Sequence, residues 1–334
     1  MLALLLLFLV PPDARASWSK GAREEAIAER VKELAAPGAP AELRLELARW
    51  ELEVHKPAAA LEHLAPLAKE ADVLRGEAHY ALAQYAEAVP LLDEATTEHL
   101  LMKIDALEAL GQLFESDAVL LRAIALPGPG DARLWSAEGR RLARNGNTSK
   151  AVEAFRKALA LDDCSAEAWF GLGRALLAAD RQEEGLAALE KHRKLTPLLD
   201  QWDFARRAVD LAPLHAPNLA ALGDAERALG RLARAGELYA RAVELAQGAE
   251  QLVPIVLRQA RLFAEDKHDP AGAITLLVKA AEGTPDARLL VRAGDLAFES
   301  KDAPRAVELF ERAQKLRPKD AEIEKRLAKA REAK

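Results

Sequence analysis

The chain has 334 residues, a net charge of −6 from 47 basic and 53 acidic side chains, and 50% hydrophobic residues with only 5% aromatics. Such a length exceeds what a single globular core usually serves, leaving either several domains or one array that grows in one dimension. The apolar content excludes a disordered chain, and the mixed, mildly acidic charge speaks against non-specific nucleic-acid binding, which needs a strongly basic face, so no nucleic-acid partner is expected, although a local basic groove stays open.

Most of the apolar content is Ala and Leu, both strong helix formers, whereas the β-branched and aromatic residues of strands are sparse. An all-α chain is expected. Its start, Met1 to Val10 (MLALLLLFLV), is followed by Pro11, Pro12 and Ala14-Arg15-Ala16. An apolar run, a break and small residues spaced A-x-A read as a signal peptide over 1–16, cleaved between Ala16 and Ser17. No Lys or Arg precedes the run. It falls short of the roughly 20 residues of a membrane-spanning helix, and no later segment is long and apolar enough, so no stable membrane span is expected. The expectation is a periplasmic or secreted protein; a cytoplasmic one with an apolar N-terminus is the competing reading.

Residues 17–40 read as a lead-in helix (Arg23 to Ala35) and an Ala-Pro-Gly-Ala-Pro linker. Residues 41–127 hold three irregular helix pairs, marked by Leu47-Ala48 with Ala60 and Leu64, by Ala78 with Ala88 and Leu92, and by Leu110-Gly111 with Ala118. Leu126-Pro-Gly-Pro-Gly-Asp131 is a break that no helix is expected to cross. Two regular helix pairs fill 132–197, the second expected to end at Pro197. Pro197 and Pro213 then leave room at 198–215 for a single extra helix with Trp202, Phe204 and Val209 on its apolar face. Three further pairs fill 216–318. A polar helix at 319–334, apolar at Ile323 and Leu327, suits the cap that such arrays need at an open end.

Internal repetition decides the architecture. Trp135 and Trp169 are 34 apart, as are Gly139 and Gly173, Leu142 and Leu176, Ala151 and Gly185, and Phe155 and Leu189. Leu222-Gly223, Ala235 and Tyr239 take the same places in a third copy. Leu257, Ala273 and Leu277 mark a fourth, and Ala293-Gly294, Ala306 and Phe310 a fifth. Helix axes approach to about 8–10 Å only where side chains are small. Gly139, Gly173 and Gly223 with Ala151, Gly185 and Ala235 provide that closeness, and the recurring large residue fills the space beside it. Pro57, Pro270 and Pro304 sit where second helices begin, a first-turn position where a missing N–H costs nothing.

The succession W-x-x-x-G or L-G, A-x-x-x-F-x-x-A and a closing proline resembles the tetratricopeptide repeat family, over about Ala41 to Arg317 and most clearly from Ala132. The resemblance implies a right-handed superhelical solenoid of tandem antiparallel helix pairs. It further implies a protein or peptide partner held on a concave side lined by the first helix of each pair.

No catalytic, cofactor or metal motif competes with that reading. Gly171-Leu-Gly-Arg-Ala-Leu lacks the third glycine and the preceding strand of a dinucleotide loop. The seven histidines never pair at i, i+4, and the single cysteine, Cys164, has no Cys/His cluster around it. The expectation is therefore no enzyme, no cofactor and no metal. What remains is the groove. Outward positions of the first helices hold Arg140, Arg144, Arg174, Arg227 and Arg258, with Arg133 and Arg292 at the edges and Asp224, Glu265 and Asp295 interrupting the row. Guanidinium groups suit two-point contact with carboxylates, so the groove is expected to favour an acidic segment. The Lys and Asn that clamp a terminal carboxylate in part of the family are replaced here by Ser136 and Arg140, then Phe170 and Arg174. The functional expectation is an exported interaction scaffold serving a cell-envelope assembly, with a cytoplasmic regulator or co-chaperone as the alternative.

Overall fold

The structure is a computed structural model that describes residues 12–19, 21–126 and 130–333. Among these residues helices alternate with short turns and there is no strand. The chain divides into two compact units, Met1–Pro197 and Leu198–Lys334. Each is a run of antiparallel helix pairs in which consecutive pairs pack side by side, a helical-repeat solenoid.

The first unit opens with α1 (Pro12–Ser19) and α2 (Arg23–Leu34). The pairs that follow are α3 (Ala41–Glu53) with α4 (Pro57–Leu64), α5 (Asp72–Ala81) with the single-turn α6 (Tyr85–Ala88), and α7 (Thr97–Ala109) with α8 (Leu113–Ile124). Next come α9 (Ala132–Arg144) with α10 (Thr148–Leu161), and α11 (Ala166–Ala178) with the start of α12 (Gln182–Leu211). The second unit contains the rest of α12. Its pairs are α13 (Ala216–Ala228) with α14 (Leu232–Leu245), α15 (Gly248–Arg261) with α16 (Pro270–Gly283), and α17 (Ala287–Glu299) with α18 (Ala303–Leu316). α19 (Ala321–Glu332) packs on α18 through Ile323, Leu327 and Ala330, as a cap should. Pro57, Pro270 and Pro304 all lie in the first turn of their helices.

One interval recurs in six of the pairs. A residue with little or no side chain on the first helix is followed seven positions later by a residue with positive φ in the turn. Gly139 leads to Gly146 (φ 75°), Gly173 to Asp180 (58°), Gly223 to Gly230 (78°) and Gly294 to Lys301 (63°). In the irregular N-terminal region Ala48 leads to His55 (59°) and Gly76 to Ala83 (56°). The left-handed residue reverses the chain and lets the second helix start at once. Sixteen positions after the small residue comes a large residue, Leu64, Leu92, Phe155, Leu189, Tyr239 or Phe310; the side chains of the last four lie against Gly139, Gly173, Gly223 and Gly294, whereas at Gly76 the Leu92 backbone comes closest.

Three expectations from the sequence are corrected by the structure. In the third pair the helix centre is Ile104, not Leu110-Gly111. Gly111 (φ 73°) is the turn residue, and Ser116 and Leu120 are buried where Ala118 was expected. An L-G pair at a helix C-terminus is a cap and not a packing site. In the α15–α16 pair a π turn at Leu262–Asp266 inserts one residue. The positive-φ residue is therefore His268, eight positions after buried Ala260, and Val256 takes the buried place assigned to Leu257. Finally, Pro197 does not end the second helix: α12 continues through it to Leu211, so 198–215 is not a separate helix. Interior proline costs about 3 kcal/mol. Beyond it, Trp202, Ala205 and Val209 pack with Leu222 and Ala225 of α13, which offsets that cost.

The N-terminal residues bear on the expected leader. Residues 1–11 lie outside the described residues, and the Ala16–Ser17 bond falls within α1. Ala14 is buried beside Ile27 and Leu47, and Trp18 stacks on Trp50 with ring centroids 4.5 Å apart and planes 7° from parallel.

Candidate functional site: a basic, aromatic cleft between α9 and α11

Gly139 and Gly171 face the same aromatic ring. A Cβ built on Gly139 would lie 2.7 Å from Phe155 Cε1, and one on Gly171 2.3 Å from the same atom. Two bare backbones thus let Phe155 of α10 reach between α9 and α11. Its ring forms part of the floor of an open cleft of about 470 Å³, with Ala143, Ala175 and Ala178 beside it. Arg140 and Arg144 of α9 border one side; Glu167, Phe170 and Arg174 of α11 border the other.

Three of the five expected groove arginines are therefore brought together. Their charges are unequal in availability. Arg140 pairs with Glu108 at 3.0 Å, Asp105 at 3.5 Å and Glu167. Arg144 donates to Glu108 at 2.8 Å and Asp117 at 2.7 Å. Four carboxylates thus surround two guanidinium groups. Arg174 is exposed, makes no ion pair among the described residues, and lies with its guanidinium carbon 5.7 Å from the Phe170 ring centroid. On its other side Phe170 is 5.1 Å from the ring of His192. The His192 Nδ1–H donates to the Ala166 carbonyl at 3.0 Å, which fixes the ring as a wall for Phe170.

Arg227 and Arg258 belong to the second unit and are already engaged. Arg227 donates to Glu265 at 3.0 Å and to Asp266, and Arg258 meets Asp224 at 3.2 Å. Arg133 pairs with Glu98 and Asp131, and Arg292 lies near Glu265 and Glu299. The expected row of free cations is largely a ladder of ion pairs between neighbouring helices. Sequence reading missed that neutralisation and the apolar floor. The 34-residue offset places Phe170 over Ser136 and Glu167 over Arg133, so a comparison of copies would have marked the cleft as the point where they differ. Ala16 and Ser17 lie on α1, away from this cleft in the chain.

Cys164 is buried; its N–H donates to Asp162 Oδ1 at 3.1 Å and its Sγ–H to Asp163 Oδ1 at 3.4 Å. Asp162, Asp163 and Cys164 thus form the local turn that leads into the Ser165 cap of α11. No helix among the described residues is long and apolar enough to cross a membrane.

Residues 136–198 and 258–321 match the family model described as tetratricopeptide repeat. No curated protein matches the chain in sequence. Among solved structures it is similar to a tetratricopeptide repeat protein from Parabacteroides merdae, at 13% identity, a TM-score of 0.31, and coverage of 78% of this chain and 98% of that one. It is also similar to the tetratricopeptide domain of P58(IPK), at 17% identity, a TM-score of 0.28 and 96% of both chains. The APC/C hetero-tetramer Cut9–Hcn1 provides a third, at 12% identity, a TM-score of 0.35, and coverage of 95% of this chain and 74% of that one.

Proposed function

Because this chain is a tetratricopeptide repeat protein, we propose that it is a non-enzymatic scaffold whose α9–α11 cleft holds a segment of another protein. The observation that supports the reading is Arg174, an exposed cation beside Phe170 with no carboxylate partner among the described residues, above a floor of Phe155 and alanines. Such a site takes one carboxylate next to one bulky apolar side chain. A long acidic run gains little, because Arg140 and Arg144 are already surrounded by carboxylates. The preferred ligand is therefore a short acidic–apolar motif.

The test is fluorescence anisotropy with labelled peptides that carry Glu-Leu, Gln-Leu or Glu-Ser at the centre. Only Glu-Leu should bind appreciably, and Arg174→Glu should weaken it at least tenfold. Equal binding of all three peptides, or an unchanged affinity in the variant, overturns the reading.

The site of action is proposed to be outside the cytoplasm, in an envelope assembly, on the strength of the apolar run at 1–10 and the A-x-A at 14–16. Sequencing the N-terminus of the protein purified from its native cell decides it: Ser17 supports export, and Met1 supports the cytoplasmic alternative.

A further inference from the structure

The stretch of α12 beyond Pro197 is extra to the repeat, yet it is firmly mounted within the second unit. The Trp202 indole N–H donates to Glu226 Oε1 at 2.8 Å, and Glu226, wholly buried, also meets Arg234 at 3.1 Å and Arg231 at 3.6 Å. Ten residues upstream of Asn218, the Ala208 carbonyl accepts from Asn218 Nδ2 at 2.8 Å. Two side-chain bonds to α13 thus fix the orientation of this stretch, and the fixed orientation leaves Phe204 78% exposed.

Phe204 borders an open cleft of about 410 Å³ between this stretch and α13, floored by Ala205, Ala221 and Ala225. The charges at its mouth are acidic. Asp200, one turn before Phe204, is exposed and has no hydrogen-bond or ion-pair partner among the described residues. Asp224, on the opposite side, accepts from the Tyr239 hydroxyl at 2.7 Å and faces Arg258 at 3.2 Å. The nearby cations are engaged: Arg206 with Asp203 and Asp210, Arg207 with Asp203.

We propose that this cleft is a second docking site, for a lysine- or arginine-bearing segment of a partner protein. The aliphatic stem lies along the alanines while the cation reaches Asp200 and the face of the Phe204 ring. Its charge preference is the reverse of that of the α9–α11 cleft, and it stands independently of that reading.

The experiment is isothermal titration of the full chain with a capped peptide centred on Lys-Leu and with its Glu-Leu counterpart. The titration is repeated on Phe204→Ala, Asp200→Lys and the double variant, each checked for unchanged helicity by circular dichroism. The lysine peptide should bind wild type, weaken several-fold in Phe204→Ala and at least tenfold in Asp200→Lys, and bind undiminished to Arg174→Glu. Absence of binding, or equal affinity in wild type and the double variant, overturns the proposal. So does wild-type self-association in sedimentation that Phe204→Ala abolishes, because a second copy is then the occupant.

Discussion

The Phe155 ring occupies the volume that a methyl group on Gly139 would need: an added Cβ would meet Cε1 and Cζ at 2.7 Å. The ring has no room on the other side either, where a Cβ added to Gly171 of α11 would lie 2.3 Å from Cε1. The same sixteen-residue relation recurs between Gly223 and Tyr239 and between Gly294 and Phe310. Gly139→Ala should therefore destabilise the first unit by about 1–3 kcal/mol through overpacking, against the roughly 1 kcal/mol that alanine gains in a helix. Denaturant melts of Gly139→Ala, Phe155→Leu and the double variant should show coupling, because both substitutions act on one shared volume. Additive effects would show that the two residues do not share that volume.

Ala83 holds φ at 56° in the α5–α6 turn, a conformation that costs an L-residue about 1–2 kcal/mol and glycine almost nothing. Ala83→Gly should raise stability by about 0.5–1 kcal/mol after the entropy cost of glycine is subtracted, whereas Gly146→Ala in the α9–α10 turn should lower it. Chemical denaturation of both variants checks the signs, and an unchanged midpoint in each would refute the turn assignment.

Arg30 is completely buried, held by Glu33 and Glu46 at 2.7 Å each and placed over Trp50, whose ring centroid is 4.9 Å away. Replacing one member of a buried ion pair typically costs about 3–5 kcal/mol, because the partner charge is stranded. Arg30→Ala should lose about that much in a thermal or denaturant melt, and Arg30→Lys should recover only part, since one ammonium cannot serve both carboxylates and the indole face. A loss under 1 kcal/mol would show the cluster to be solvated.

Glu51 is buried with Oε1 3.4 Å from His63 Nε2 and with no hydrogen-bond partner for Oε2. Burial pushes its carboxyl up to about 7, with Lys56 pulling it back and Glu62 adding to the rise. Burial also pushes His63 below its ordinary value, so the two do not form an ion pair near neutrality. The native state holds the Glu51 proton more tightly than the unfolded chain, whose carboxyl titrates near 4.5. Its contribution to stability therefore falls as pH rises from about 4.5 to 7 and is flat above, by up to about 3 kcal/mol in all. Glu51→Gln should be more stable than wild type at pH 8 and nearly equal to it at pH 4.5. Parallel melts that show a constant difference across that range would contradict a raised Glu51.

The sequence alone determined the helical class and the pairing of helices, because glycine, alanine and a large apolar residue recur at fixed intervals and nothing but close helix contact demands that recurrence. It also placed the first-turn prolines and the capping helix. Three things were decided only by tertiary structure. A π turn at Leu262–Asp266 and a left-handed cap at Gly111 shift register without any distinctive residue type. Helix continuation through Pro197 depends on what Trp202 and Val209 find to pack against. Above all, availability of charge is a property of neighbours distant in the chain. Arg140 and Arg174 stand 34 positions apart in equivalent places and look alike in sequence. Glu108 and Glu167 reach one of them, and among the described residues no carboxylate pairs with the other. Side-chain identity is local, whereas the field at a guanidinium is the sum over everything that the fold brings beside it.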